Sequence, residues 1–290
     1  MALSIVTDSV ACLPQEIVEQ YRISVVPMEI IYKGKVYKDG LDISPQEFYR
    51  LLKESDVLPT TSSPSPRTYL DTYQAIIAEG NGILVICSSA RLTHAYASAR
   101  IAADMLKEKV PGAGIEVLDS GTAAGAQGFV VMHAAEAAGD ADNSGDVIRL
   151  AKEMMKNVHV VVFLDTIDYL ARGGRVPHIL AWANSLLKIK PIVELLPLGR
   201  GVILVGRART RQRALERIME IMERRVRGVP VRVAVQHTDS IIEAQELAAR
   251  VKSRLNCGDV WIQDFTPVMG VHTGPGLLGV SYSTYKASDL

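Results

Sequence analysis

Residues 83–90 read Ile-Leu-Val-Ile-Cys-Ser-Ser-Ala, and this stretch decides the fold class. Five apolar residues in a row, without the alternation of a half-exposed strand, are typical of a strand buried on both faces of a parallel sheet. The two serines then follow at the carboxyl end of the strand, where open α/β sheets bind their ligands. An amphipathic stretch from Leu92 to Lys109 comes next and supplies a crossover helix.

The rest of the first half repeats this alternation of short apolar runs and amphipathic stretches, which predicts a largely parallel sheet flanked by helices. A β-hairpin turning near Gly34 interrupts the pattern. The predicted strands are Ser4–Thr7, Ile83–Cys87 and Ile115–Leu118, and the predicted helices are Pro14–Tyr21, Pro45–Glu54 behind a capping box at Ser44, and one beginning at Ser65-Pro66.

The second half predicts a smaller α/β or α+β domain. A polar loop at Gly139–Gly145 and a helix to Asn157 precede the apolar run Val158–Phe163, so we place the boundary between an N-terminal α/β domain, residues 1–157, and a C-terminal domain, residues 158–290. Further predicted strands are Ile192–Leu196, Val202–Val205, Val231–Val235, Val260–Ile262 and Gly279–Ser283; further predicted helices are Thr166–Ala171, Ile179–Leu187, an arginine-rich one after Thr210, and one from Ser240 with a capping box to Glu243.

Composition is that of an ordinary globular protein. The 290 residues are 48% hydrophobic and 22% charged, a composition that predicts a folded chain instead of a disordered one. No run approaches the roughly 18 apolar residues of a membrane span, and the first residues lack the basic start of a secretion signal. Three widely spaced cysteines suggest no disulfide framework, so we expect a cytoplasmic protein that is not integral to a membrane.

The net charge of zero hides an asymmetry between the two halves. Residues 1–157 carry −6 and residues 158–290 carry +6, with ten arginines between Arg200 and Arg232. Such a field can steer an anionic partner, although a solvated helix face explains it equally well. Nucleic acid is not the expected partner, because the overall pI is near 7.0 and no aromatic residues interleave with the arginines.

Hydroxyl side chains crowd the segment Pro59–Pro66, just before a predicted helix start, where Thr61 and Ser62 lie. Hydroxyl groups and the free N–H groups of a helix N-terminus can bind a carboxylate or a phosphate. Ordinary capping and turn chemistry also accounts for these residue types. The composition of this segment alone leaves both readings open.

Ser89 follows the buried strand, but neither flank has the glycine of a strained nucleophile elbow, so hydrolase chemistry is poorly supported. Thr93 adds a hydroxyl nearby, or caps the next helix. The six histidines show no spacing with cysteine or acid that predicts a metal site. Two arginines surround the flexible pair Gly173-Gly174, an arrangement that suits carboxylates or phosphates.

Gly274-Pro275-Gly276-Leu277-Leu278-Gly279 matches the spacing of a dinucleotide-binding loop, but it leads into a β-like run instead of a helix. These glycines instead let the backbone come close to a ligand or another segment. His272 beside this turn is a structural histidine or a donor to a bound anion.

Together, separated motifs resemble the DegV family of bacterial fatty-acid-binding proteins, in family order and over nearly the whole chain. The matching stretches are 6–9 with 13–14, 25–27, 37–40 with 42–44, 59–62 with 64–66, 119–120, 173–175, 190–192, 209–210 and 272–276.

The resemblance implies a two-domain α/β protein that holds one long-chain fatty acid near the domain cleft, with its tail buried. It also implies that the carboxyl group is presented to a separate ATP-dependent kinase subunit, which forms an acyl-phosphate, so that the chain itself is not catalytic. The fatty acid is then a ligand, and no cofactor is expected. Because neutral donors leave a carboxylate reactive, we expect arginines to lie outside its direct contacts.

By resemblance, the carboxylate site comprises Thr61, Ser62, Ser89 or Thr93, and His272, with Gly274 and Gly276 in the adjoining turn; Arg175 and Arg209 face the kinase and the phosphate.

One segment departs from the family pattern Ser-Ser-x-Leu-Ser-Gly-Thr-Tyr. Here Ser89–Tyr96 reads Ser-Ala-Arg-Leu-Thr-His-Ala-Tyr, so that His94 stands where the family has glycine. We therefore expect different head-group geometry or a different ligand. A free-standing lipid sensor without a kinase partner, and a hydrolase or transferase that uses Ser89 with His272, are the alternative functions.

Overall fold

The computed structural model describes residues 2–140, 143–176 and 189–284. The strands are β1 (Leu3–Asp8), β2 (Ser24–Val26), β3 (Glu29–Tyr32), β4 (Lys35–Lys38), β5 (Thr60–Ser62), β6 (Gly82–Cys87), β7 (Ile115–Asp119), β8 (Val158–Phe163), β9 (Lys190–Leu196), β10 (Gly201–Ala208), β11 (Val231–His237), β12 (Cys257–Asp264) and β13 (Leu278–Thr284). The helices are α1 (Gln15–Gln20), α2 (Pro45–Glu54), α3 (Pro66–Ala78), α4 (Ala95–Lys109), α5 (Ala124–Asp140), α6 (Ser144–Met154), α7 (Asp168–Gly173), α8 (Arg211–Val226), α9 (Ile241–Arg254) and α10 (Pro267–Thr273), with a 3-10 turn at Ser9–Ala11.

The opening stretch of apolar residues forms β6, which lies inside a four-stranded sheet of order β2-β1-β6-β7. All pairings in this sheet are parallel, as the sequence predicts. Val85 and Cys87 pack into one core with α3 and α4, while Leu84 and Ile86 pack into another with α5. Both faces of β6 are therefore buried, which is why its sequence does not alternate.

A second, six-stranded sheet has the order β10-β9-β8-β13-β11-β12 and is antiparallel except for the pair β11 and β12. Helices α8 and α9 pack against one face of this sheet. Helix α5 contacts the other face and also contacts β1 and β6 of the parallel sheet. The molecule is thus an α/β structure in which α5 is shared between the two sheets.

The third sheet, β4-β3-β5, is antiparallel and contains the hairpin predicted at Gly34. The capping box at Ser44 is confirmed, since the Ser44 hydroxyl accepts from the Glu47 N–H and the Glu47 carboxylate accepts from the Ser44 N–H. Helix α3 begins at Pro66 behind the cap residue Ser65, also as predicted.

The capping box predicted at Ser240 is wrong. The Ser240 hydroxyl makes no capping bond to α9 and instead donates to the Thr238 carbonyl oxygen. The Glu243 carboxylate binds the Arg211 guanidinium, and a charge-assisted bond of this kind is about twice as strong as a neutral one. The arginine therefore takes the acceptor that a capping box would need.

Three other predicted bounds shift. The predicted loop at Gly139–Gly145 is shorter, because α5 continues to Asp140 and α6 begins at Ser144. Pro14 is the cap residue of α1 and not its first helical residue. The predicted helix Ile179–Leu187 lies outside the described residues. The boundary at residue 158 stays a prediction, although β8, which begins there, belongs to the six-stranded sheet.

Candidate functional site

A cavity of about 640 Å³ lies between the carboxyl end of the parallel sheet and the face of the six-stranded sheet that α5 also contacts. Its volume is within the usual range of small-molecule sites. Val10 after β1, Thr93 after β6 and Ala123 after β7 all reach it. The chain leaves β1 toward β2 and later returns to β6 on the other side of β1, so the cavity lies at the topological switch point of the sheet.

The deep wall of the cavity is apolar and comes from alternate residues of β8, β9 and β10. Side chains two apart on a strand share a face, so Val160 and Val162 face the cavity while Val161 and Phe163 pack against α8 and α9. The apolar residues lining the cavity are Val10, Met28, Leu92, Ala123, Ala124, Val160, Val162, Leu164, Leu170, Val176, Val193, Leu195, Val202, Phe265, Val268, Met269 and Leu277, with Pro64 at the edge.

The polar part of the wall centres on Thr61 and His272. Thr61 lies in β5, opposite Ile30 of β3, and His272 lies near the end of α10. The Thr61 Oγ1 and His272 Nε2 atoms are 2.9 Å apart and share a hydrogen bond. Residues 211 positions apart in the chain thus present a hydroxyl and an imidazole to the same cavity.

His272 is neutral at pH 7. Burial, and then the nearby positive charge of Arg175, lower the pKa of its imidazole to about 4. A neutral imidazole carries one N–H donor and one acceptor nitrogen. The Nδ1 atom of His272 is buried and has no hydrogen-bond partner among the described residues.

Gly173 explains how the imidazole of His272 fits. A Cβ atom added at Gly173 would lie 2.5 Å from Nδ1 of His272, closer than van der Waals contact allows. Only glycine lets α7 approach the ring this closely. Gly174 then takes the left-handed conformation, with φ of 67°, and turns the chain back after the helix.

This turn places Arg175 on the cavity wall. Its Nη1 donates to the Gly173 carbonyl oxygen at 2.8 Å, and its Nη2 donates to Oγ1 of Thr61 at 3.4 Å. From the sequence we expect Arg175 to lie outside the direct contacts of a bound carboxylate. In the structure its guanidinium contacts the hydroxyl group of Thr61, which is itself a predicted carboxylate ligand. The cause is the Gly173-Gly174 turn, which folds the arginine back onto β5.

A second polar segment of the wall surrounds the start of α4. The Thr93 and Ser88 hydroxyl oxygens are 2.8 Å apart, and Thr93 Oγ1 also accepts from the Ala95 N–H. The His94 N–H donates to Oγ of Ser63 at 2.9 Å, which ties α4 to the turn after β5. Ser62 donates to the Ser63 carbonyl oxygen within that turn.

Of the predicted site residues, the structure brings Thr61, Ser62, Thr93, His272 and Arg175 to one cavity. It does not bring Ser89 there. The Ser89 side chain is buried at 1% exposure beneath the α4 start, and its Oγ accepts from the Arg91 N–H. Since the His272 Nε2 atom is engaged by Thr61, the pair Ser89 and His272 has no geometric support as a nucleophile and its base.

Gly274 and Gly276 contact protein and do not line the cavity. A Cβ at Gly274 would lie 2.2 Å from the Tyr169 ring, and one at Gly276 would lie 2.3 Å from the Asp165 carboxylate. Both have positive φ. These glycines therefore let the turn after α10 approach another segment of the chain. Arg209 is exposed in the turn between β10 and α8, away from the cavity wall.

Sequence reasoning missed most of the cavity wall. The alternation of β8 and β9 is hidden, because the opposite face of each strand also carries buried apolar residues, Val161 and Phe163 in β8 and Ile192 in β9. The signal that existed was the β-branched composition of Val158–Phe163, which predicts a strand but not which face bounds a cavity.

Two negative observations apply to the described part of the chain. Among residues 2–140, 143–176 and 189–284, no group of three or more histidine, cysteine or carboxylate side chains is arranged to hold a metal ion. Within the same ranges, no helix combines the length and apolar character needed to cross a bilayer.

An apolar cavity at the switch point of an α/β fold, with a few hydrogen-bonding groups on one wall, is the usual architecture of a small-molecule-binding site. The family profile described as "Uncharacterised protein, DegV family" matches residues 2–285. The chain belongs to the DegV family.

Individual DegV proteins are similar to this chain over nearly its whole length. A DegV domain-containing protein of Clostridium perfringens is 30% identical over 98% of this chain and 99% of its own length. A fatty-acid-binding DegV family protein from Thermus thermophilus superposes with a TM-score of 0.89 at 28% identity, covering 98% of this chain and 100% of that one. DegV of Bacillus subtilis, whose structure is that of a fatty-acid-binding protein, superposes with a TM-score of 0.86 at 28% identity. The match covers 98% of this chain and 100% of that one.

Proposed function

We propose that this protein binds one long-chain fatty acid, with the acyl tail against β8, β9 and β10 and the carboxylate beside Thr61 and His272. The observation that carries the proposal is the combination of a 640 Å³ apolar cavity with a hydrogen-bonded hydroxyl–imidazole pair on its wall. Each buried methylene contributes about 0.8 kcal/mol, so the tail supplies most of the affinity.

The carboxylate site uses neutral donors. In this proposal the neutral His272 imidazole donates from Nε2 to Thr61 Oγ1, which leaves the Thr61 hydroxyl hydrogen for the carboxylate, and the Thr93 hydroxyl lies on the same cavity. A carboxylate held in this way keeps its charge available for reaction. Arg175 already donates to Gly173, which favours a role at the mouth over a bidentate clamp on the ligand.

We further propose that the protein itself is not catalytic and, in the cytoplasm, presents the carboxylate to a separate ATP-dependent kinase subunit. A carboxylate oxygen would attack the γ-phosphorus of ATP, forming the acyl-phosphate bond while ADP leaves. The exposed Arg209 and the guanidinium of Arg175 suit such an anionic encounter. No resident cofactor belongs to this proposal; the fatty acid is the ligand.

The first experiment is to purify the protein without detergent, denature it and identify released lipid by mass spectrometry. The expected result is near-stoichiometric fatty acid. Titration of the delipidated protein then compares wild type with Thr61→Val, which removes the hydroxyl and keeps the shape. Weaker binding by the variant supports the assigned head-group site. No released lipid together with no binding on titration would overturn the proposal.

Acyl-phosphate formation is tested separately, by adding candidate kinase subunits and ATP to the loaded protein. Product that depends on both proteins supports the kinase role. Stable occupancy without product, across the kinase subunits of the source cell, would favour a lipid sensor instead.

A further inference from the structure

His94 and Ser98 form a pair on the cavity wall that the proposed carboxylate site does not use. His94 is the residue that precedes α4, and Ser98 lies one helical turn further on. Both line the cavity, and positions four apart lie on the same face of a helix. The Ser98 backbone N–H donates to the His94 carbonyl oxygen, which fixes their spacing.

Among the described residues, neither side chain forms a hydrogen bond or an ion pair with the rest of the protein. His94 makes no side-chain capping bond to α4, and within the described ranges no hydrogen bond or ion pair engages its imidazole or the Ser98 hydroxyl. The other hydroxyl groups on this part of the wall differ. Ser63 accepts from the His94 N–H, Ser65 caps α3, and Thr93 bonds to Ser88.

The pair lies close to the carboxylate end of the cavity. Ser63 follows Thr61 by two residues, which span at most about 7 Å of backbone. The Ser63 hydroxyl in turn contacts the His94 N–H at 2.9 Å. Because His94 and Ser98 line the same cavity as Thr61 and the start of α4 is bonded to the turn after β5, both side chains border the part of the cavity next to the proposed carboxylate position.

We propose that His94 and Ser98 form a subsite for a hydroxyl group on the second or third carbon of the acyl chain, so that this protein favours hydroxy fatty acids. The inference rests on the proposed fatty-acid binding. A hydroxyl group suits the pair because imidazole and serine can each donate or accept a hydrogen bond. A second anionic group suits it less, because neither side chain is a permanent cation.

The test is a competition titration with tetradecanoic acid, 2-hydroxytetradecanoic acid and 3-hydroxytetradecanoic acid. One net hydrogen bond predicts that wild type binds one of the hydroxy acids about threefold to tenfold more tightly than the unsubstituted acid. His94→Gly and Ser98→Ala should reduce that ratio to about one while the affinity for tetradecanoic acid stays within about twofold. Glycine is tolerated at a helix cap and alanine within a helix, so both variants keep the fold.

Ser253→Ala, at an exposed serine of α9, is the matched control and should keep the wild-type ratio. Equal affinity for all three acids would overturn the subsite and leave fatty-acid binding standing. Failure of every acid to bind would instead remove the proposed function. A preference for a hydroxy acid that survives in both variants would place the hydroxyl elsewhere and also overturn the subsite.

Discussion

Replacing Gly173 by alanine should weaken fatty-acid binding without weakening the fold. Gly173 has a helical conformation that alanine adopts readily, and alanine is favoured over glycine in a helix by about 1 kcal/mol. The new Cβ, however, would lie 2.5 Å from Nδ1 of His272. The ring must move by about 1 Å or more to restore van der Waals contact, which breaks its 2.9 Å contact with Thr61.

The expected loss follows from that one bond. A neutral hydrogen bond contributes about 0.5–1.5 kcal/mol, so the dissociation constant for a fatty acid should rise about twofold to twelvefold. Titration calorimetry measures binding, and urea unfolding checks stability, which the helix gain should keep near that of wild type. Gly174→Asn is the matched control, because asparagine tolerates a φ of 67° and no atom lies within 4 Å of its Cβ. Unchanged affinity in Gly173→Ala would refute the assigned role of His272.

Three further predictions address the cavity wall, protonation and the opposite face of the sheet. Val162→Phe should shift binding toward shorter acids, since each methylene that no longer fits loses about 0.8 kcal/mol, about fourfold in affinity, measurable across a chain-length series. For His272 the folded pKa of about 4 lies below the ordinary 6.5, so the unfolded chain takes up the proton first. Stability should therefore fall by up to about 3 kcal/mol as the pH drops from 6.5 to 4, and urea titrations of His272→Gln should lack this contribution. Arg225→Met should cost about 3–5 kcal/mol of unfolding free energy, because Glu194, at 1% exposure, loses its bidentate partner; fatty-acid affinity should not change, since both lie on the face away from the cavity.

The elements that the sequence predicts well are those whose signals are local. Ser44-Pro45 with Glu47 contains its capping partners within four residues, and the hairpin at Gly34 needs only its own turn. The capping box at Ser240 shows where local reasoning fails, because the competing partner, Arg211, lies about thirty residues away in the chain. The residues next to Ser240 do not predict that the Arg211 side chain binds Glu243.

Helix α5 illustrates a different limit. Its first half, residues 124–132, is buried throughout and apolar except for Gln127, because it is packed between two sheets, so this half lacks the polar face by which an amphipathic helix is recognised. The same limit hides the cavity. Thr61 and His272 could each be singled out from their motifs, but their hydrogen bond across 211 positions depends on how three sheets meet.

The position of Arg175 accounts for two properties of the head-group site together. Its guanidinium donates to the Gly173 carbonyl oxygen and to the Thr61 hydroxyl, so its donors are partly committed before any anion arrives. Its charge nevertheless acts on His272, whose pKa it lowers further after burial has already lowered it. The imidazole is thereby kept neutral, and in the proposed complex a carboxylate at Thr61 would meet a hydroxyl beside an uncharged ring, with a cation behind them. Under the proposed function, such a site would hold the anion through its tail and leave the oxygen reactive, as a carrier that hands its ligand to another protein requires.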